Sequence, residues 1–223
     1  MIKNMSDLPI DPLSKTIEET AKIAEKFLGK LVNPSLDEGG GILSDNVKFW
    51  RFKNQINLVI KAKKFLEDKG IEPSKVLPKT LYPILEHGSL EEDENIKNKW
   101  SAMLANAADG TSEVNVRPGY PEILKQLSPL EVKVLDTFFD QIQNKTQEEK
   151  NKTGIVKEKV LLYAEILSEE YDILVDNLFR LGLCRTPSSQ GGATIGKYPM
   201  VLRTYDLIEL TPLGYDFIRS CRY

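Results

Sequence analysis

Residues 128–142 read SPLEVKVLDTFFDQI, and this stretch decides the fold of the second half of the chain. Ser128 and Glu131 stand three apart, so each side chain can satisfy a backbone amide that the other residue's turn leaves free. Pro129 falls on the first helical position, where its missing N–H costs nothing. Leu130, Val134, Leu135, Phe138 and Ile142 then recur at helical spacing and predict one buried stripe. Working outward from this helix, the punctuation on both sides becomes readable.

Downstream, the polar run 144–154 reads as a loop, Ile155–Ile166 as a helix, and Glu169–Leu181 as another closed by Gly182. Leu183–Thr186 predicts a short strand, followed by a loop carrying Gly191, Gly192 and Gly196. A second strand is expected over Tyr205–Leu210. Thr211-Pro212 then caps a last helix with Leu213, Phe217, Ile218 and Cys221 facing inward. Three helices, a strand, a glycine-rich loop, a strand and a helix is the order of a winged-helix unit starting near Ser128.

Upstream the chain predicts helices only. Asp11-Pro12 opens one, with Leu13, Ile17, Ala21, Ala24, Leu28 and Leu31 on one face. Gly39-Gly40-Gly41 reads as a hinge; it lacks the Gly-Lys-Ser/Thr ending of a phosphate loop. A long helix follows from about Ile42 to Lys69, then a short one from Pro78, bent at Pro83. Ser89-Leu90-Glu91-Glu92 reads as a second capping box. The helix it opens buries Ile96, Trp100, Met103, Leu104 and Ala107 and ends near Asp109-Gly110. Pro118 starts a shorter helix with Tyr120, Ile123 and Leu124. The predicted architecture is therefore mainly α, an N-terminal helical bundle over 1–127 and a winged-helix-like C-terminal unit with a small β-hairpin over 128–223.

The bulk numbers bound the function. Of 223 residues, 41% are hydrophobic and 28% charged, an ordinary globular composition that can fill a core. The net charge of -3 provides no global attraction for nucleic acid. The presumed recognition helix carries Glu169, Glu170, Asp172 and Asp176 against Arg180 alone, and a surplus of negative charge opposes phosphate contact. Nucleic acid is thus not the expected partner, and the winged unit reads as a protein-interaction or structural module. No stretch approaches the roughly 18 apolar residues of a spanning helix, and Met1–Asp11 has no apolar signal core. The expected location is the cytoplasm, with association at a membrane surface left open by the amphipathic helix Leu13–Leu31 and the basic long helix.

Catalytic and metal signals are weak. Glu91, Glu92, Asp93 and Glu94 are consecutive, so they point apart, and a helix start favours acids in any case. His87 is the single histidine and sits beside Gly88 at a helix end; Cys184 and Cys221 fall on core positions. Two cysteines and one histidine do not complete a zinc site of the usual kind. The expectation is a protein without catalytic residues, cofactor or metal.

The long helix offers the one surface with a functional reading. It carries Lys48, Arg51, Lys53, Lys61, Lys63, Lys64 and Lys69 against Asp45, Glu67 and Asp68, with Lys53, Lys61 and Lys64 on one face. Trp50, Arg51, Lys53, Lys61 and Lys64 form a candidate contact surface. The competing reading is a solvated helix exterior with a core aromatic pair.

Three runs, in order, carry a resemblance. The first is Trp50-Arg51-Phe52-Lys53-Asn54-Gln55 with Lys61-Ala62-Lys63-Lys64 and Lys69-Gly70-Ile71-Glu72-Pro73. The second is Ser89-Leu90-Glu91-Glu92-Asp93-Glu94 leading to Trp100 and Leu104-Ala105-Asn106-Ala107. The third is Ile123-Leu124-Lys125-Gln126-Leu127-Ser128-Pro129-Leu130, with Leu210-Thr211-Pro212-Leu213-Gly214 near the end. Together they resemble the Abi-alpha family, a domain of bacterial abortive-infection proteins. The resemblance implies a role in phage defence and carries no catalytic residues with it. The function expected is non-enzymatic defence through contact with protein partners of unknown identity, a phage-derived partner among the options, with self-assembly open. The alternatives are a toxic effector at a membrane surface and a winged-helix nucleic-acid binder.

Overall fold

Among the described residues, most stretches whose apolar residues recur at helical spacing are helical. The structure is a computed structural model that describes residues 12–31, 48–146, 153–165, 167–187, 194–195, 198–199 and 206–223. In order these form α1 (Pro12–Leu31), α2 (Lys48–Asp68), α3 (Pro78–Gly88), α4 (Glu94–Ala108), α5 (Tyr120–Leu124), α6 (Pro129–Ile142), β1 (Gly154–Val156), α7 (Lys157–Ala164), α8 (Ser168–Arg180), β2 (Cys184–Arg185), β3 (Thr194–Ile195), β4 (Tyr198–Pro199), β5 (Leu207–Leu210) and α9 (Pro212–Ser220). The fold is mainly helical with a small three-stranded antiparallel sheet. Two compact units result, one running to Ser112 with Tyr223 added, the other Glu113–Arg222.

In the first unit α2 lies against both α1 and α4. Ala24, Phe27 and Leu31 of α1, Ile56, Val59, Ala62 and Leu66 of α2, and Ile96, Trp100, Met103 and Leu104 of α4 are all buried. The segment after α2 turns at Gly70, whose φ of +67° suits glycine. It is then tied down by Ser74 donating to the Ala108 carbonyl at 2.7 Å and Val76 to the Leu31 carbonyl at 2.8 Å. At the end of α3, a Cβ on Gly88 would stand 2.4 Å from the tip of the Leu58 side chain and 3.1 Å from Trp100, so a larger residue there makes its neighbours give way.

One expected cap moves. Ser89 does not open α4; it ends α3, fully buried, with its hydroxyl donating to the Glu86 carbonyl at 2.6 Å. The N-cap is Asp93, whose carboxylate accepts from the Ile96 amide at 3.0 Å. Glu91 turns back to accept from the amides of Glu92 and Asp93, each at 2.9 Å. The acids 91–93 therefore precede the helix instead of filling its first turn. The helix start predicted over 42–47 and the glycine triplet 39–41 lie outside the described residues.

In the second unit the Ser128 box forms as read. The Glu131 carboxylate accepts from the Ser128 amide at 2.6 Å, and the Ser128 hydroxyl accepts from the Glu131 amide at 3.3 Å. Glu131, buried, also accepts from Asn177 of α8 at 2.6 Å, which links the cap of α6 to α8. Val134, Leu135, Phe138 and Ile142 are buried as predicted. The sheet order is β1-β5-β2, with Ile155 opposite Ile208 and Cys184 opposite Leu210. The helix expected over Ile155–Ile166 splits: Gly154–Val156 is a strand and only Lys157–Ala164 is helical, while Ile166 lies outside the described residues. Ile155 and Val156 are β-branched and follow a glycine, and pairing with β5 overrides their fit to the helical stripe. The glycine-rich loop is partly outside the described residues, and within it β3 pairs with β4.

Thr211 caps α9 by accepting from the Gly214 amide at 2.9 Å, and its hydroxyl donates to the Gly182 carbonyl at 2.6 Å. Gly214 packs directly on the backbone, since a Cβ there would lie 2.0 Å from the Leu183 carbonyl oxygen. Phe217, Ile218 and Cys221 are buried; Leu213, expected inward, is 39% exposed. It belongs to the first turn of α9, where Pro212 and Leu213 both project away from the core side.

Candidate functional site

The polar residues of α2 divide into two sets. Arg51, half-buried, donates from Nε to the Ser89 hydroxyl at 3.2 Å. Asn54 donates to the Ser89 carbonyl at 3.1 Å, and Gln55 to the Leu85 carbonyl at 3.5 Å. Lys61 donates to the Asn98 side chain of α4. These four side chains hold α2 to α3, to the α3–α4 turn and to α4. Lys53 and Lys64 instead face solvent on one side of α2. Of the candidate contact surface, then, Lys53 and Lys64 are exposed, Arg51 and Lys61 are engaged within the unit, and the side chain of Trp50 is outside the described residues.

Beside Lys61 a cavity of about 80 Å³ opens between α2, Gly88 and α4. Asn54, Leu58, Lys61, Glu94, Lys97 and Ser101 are among the residues that line it. Lys97 pairs with Glu94 at 2.8 Å, and this bond, followed by the charge of the same lysine, holds the Glu94 carboxyl below its ordinary range. The volume corresponds to a few water molecules, each taking ~30 Å³ in the liquid.

The nucleophile candidates are placed as core residues. Cys184 and Cys221 are buried free thiols. Burial pushes the Cys184 thiol far up, away from the thiolate that nucleophilic chemistry needs. His87 belongs to the last turn of α3, its ring 6.3 Å from that of Trp100. Among the described residues no group of three or more His, Cys, Asp or Glu could hold a metal ion.

The second unit exposes large apolar side chains that periodicity alone does not reveal. On α7 and α8 and the turn between them, Leu162 is 73% exposed, Tyr163 64%, Leu167 69% and Ile173 73%. The two helices are built so that other residues fill the core: Val160 and Ala164 from α7, and Tyr171, Val175 and Leu178 from α8, are buried. Ile173 shares the outward stripe of α8 with Glu169, Asp176 and Arg180, all exposed. On α7, Leu162 follows the exposed Glu158 by one turn and Tyr163 follows Lys159.

The charged residues of the same segments are of both signs. Glu158, Lys159, Glu169, Glu170 and Asp176 are exposed; Glu165, also exposed, pairs with Lys133 at 3.4 Å; Asp172 is half-buried and paired with Lys157 at 2.8 Å, whose ammonium also lies 4.7 Å from the Tyr171 ring centre. Arg180, the one cation of α8, is bonded to Asn177 at 2.7 Å and to Gln126 at 3.0 Å. The consecutive apolar residues Leu161-Leu162-Tyr163 were the available signal, because a short helix cannot turn three neighbours toward one core.

Compared with known families, residues 51–221 match the model described as abortive infection alpha. No curated protein and no solved structure matches the chain.

Proposed function

The chain belongs to the abortive infection alpha family, and from that premise we propose that it is a cytoplasmic phage-defence protein that acts by contact with protein partners and not by catalysis. The observation that carries this reading is the set of large apolar side chains left exposed on α7, on α8 and between them: Leu162, Tyr163, Leu167 and Ile173. Large apolar side chains left mostly in water among charged residues are a feature of interaction sites. The family supplies the context of defence; these side chains supply a means of acting in it.

Two observations favour protein over the other surfaces. Among the described side chains of α1, Ala24, Phe27 and Leu31 are buried inside the first unit, so this part of its apolar side is not available to lie on lipid. The outward stripe of α8 is acidic, which opposes both anionic lipid and DNA phosphates. Among the described residues, no helix is long and apolar enough to cross a membrane.

The reading is tested by expressing the full chain in a phage-sensitive bacterial host and measuring efficiency of plating over a broad phage panel. Lower plating for at least some phages is expected. Unchanged plating across the whole panel contradicts the defence reading.

A further inference from the structure

We propose that the cavity between α2 and α4 in the first unit binds a phosphate group, either the free ion or the head of a small phosphorylated molecule, with the Lys61 and Lys97 ammoniums as its anchors. This site goes beyond the protein-contact reading and does not depend on it, because it lies on other elements than Leu162, Tyr163, Leu167 and Ile173.

The packing of α2 on α4 brings the polar side chains of both helices to one cavity of about 80 Å³, lined by Asn54, Asn57, Lys61, Glu94, Lys97 and Ser101, with Gly88 contributing no side chain. Two of these groups are spent on the fold: Asn54 donates to the carbonyls of Ser89 and Glu91, and the Ser101 hydroxyl to that of Lys97. The lysines keep capacity. An ammonium has three N–H donors, while Lys61 donates to the neutral Asn98 side chain and Lys97 to Glu94. Two cations therefore line the cavity against one carboxylate, and the lining retains a surplus positive charge.

The two lysines already hold an anion. The Glu94 carboxyl is kept below its ordinary range first by the Lys97 bond, then by the Lys97 charge, and further by the charge of Lys61. The Glu94 side chain is 79% exposed and that of Lys97 28%, so the carboxylate can swing into water and leave the ammonium in place. A phosphate group suits the vacated position better than a second carboxylate does. Near neutral pH it brings about −1.5 to −2 charges and three acceptor oxygens, enough to answer both ammoniums. Its size agrees as well: the space is well below the ~300–1,000 Å³ of sites that enclose larger ligands, so a phosphorylated molecule would enter by its phosphate alone.

The test titrates the full chain at low salt with inorganic phosphate, glycerol phosphate and acetate, and follows the backbone amides by two-dimensional NMR. Inorganic phosphate should bind with a Kd of about 1 mM or tighter, and the shifted amides should cluster on α2 and α4. Acetate should bind at least ~10-fold more weakly, having one charge in place of nearly two. Lys61→Met and Lys97→Met should each weaken phosphate ~10-fold or more, and Glu94→Gln, which removes the resident anion, should tighten it ~3-fold or more. Lys53→Met/Lys64→Met takes two cations from the exposed side of the same helix and should leave the affinity within ~2-fold. The same spectra verify the fold of each variant; if Lys61→Met, which also loses the tie to Asn98, does not fold, Lys97→Met decides. Glycerol phosphate identifies the source: tighter binding than inorganic phosphate assigns a phosphorylated small molecule, and binding no tighter assigns the free ion.

The proposal is overturned if ~10 mM phosphate shifts no amide of α2 or α4, or if acetate binds as tightly as phosphate. It is also overturned if Lys97→Met binds phosphate as well as the unaltered chain, if Glu94→Gln binds it no tighter, or if Lys53→Met/Lys64→Met weakens it as much as Lys97→Met does. That last result would mean that phosphate answers the general charge of the helix and not the cavity.

Discussion

Two regions, α2 in the first unit and α7 with α8 in the second, place residues against expectation in opposite senses. On α2 of the first unit, charged and polar side chains that look like solvent-facing decoration are turned to internal work: Arg51 and Asn54 on Ser89, Gln55 on Leu85, Lys61 on Asn98. On α7 and α8 of the second unit, apolar side chains that look like core are turned outward. The first departure stabilises a fold, because a buried hydroxyl and carbonyl such as those of Ser89 need partners. The second leaves apolar surface in water, which a fold gains nothing by doing. Helical periodicity is blind to the difference; what separates the cases is the neighbour that each side chain meets.

The comparison can be broken by substitution, beginning where the effect is largest. Gly214→Ala places a Cβ against a backbone carbonyl that cannot move aside, and should lower stability by ~3 kcal/mol or more in chemical denaturation. Gly88→Ala is the counterpart in the first unit, but its closest obstacle is the far end of the Leu58 side chain. A loss of ~1–2 kcal/mol is expected there, since a side chain can repack. Equal losses at the two positions would show that the backbone contact at Leu183 is not as rigid as its geometry implies.

Next come the polar ties. Arg51→Ala and Asn54→Ala each leave buried Ser89 short of a partner and should cost ~1–2 kcal/mol, whereas Lys53→Ala and Lys64→Ala on the exposed side should stay within ~0.5 kcal/mol. If all four behaved alike, the division of α2 into two sets would be wrong. Ser128→Ala removes one half of a cap and should cost ~1 kcal/mol. The smallest change in stability is expected at Ile173→Asp, within ~0.5 kcal/mol, because the side chain is already in water.

How much of this was readable beforehand depended on whether the decisive partner was near in sequence. The Ser128 box lies within four residues and was legible in full. The apparent Ser89 box matched the same pattern, yet the apolar rhythm of α4 begins at Ile96, and the residue three before it is Asp93, which takes the cap. β1 was missed because its pairing partner, β5, is some fifty residues away. Leu213 was placed inward by spacing alone, although the first turn of α9 points it out.

The candidate surface on α2 shows the same limit. Four of its five residues are basic, but the partners that engage Arg51 and Lys61 sit 38 and 37 residues downstream. No local pattern announces them. The exposed apolar residues of α7 and α8 were hidden for the complementary reason: exposure is decided by which elements fail to cover a residue, and that is a property of the assembled unit.

The most direct test of the account compares two folded double variants in the plating assay, Leu167→Asp/Ile173→Asp on the second unit and Lys53→Glu/Lys64→Glu on the first. The account predicts that the first loses plaque protection while the second retains it. Retained protection in Leu167→Asp/Ile173→Asp, verified as folded, would contradict the claim that this protein works through its outward apolar side chains.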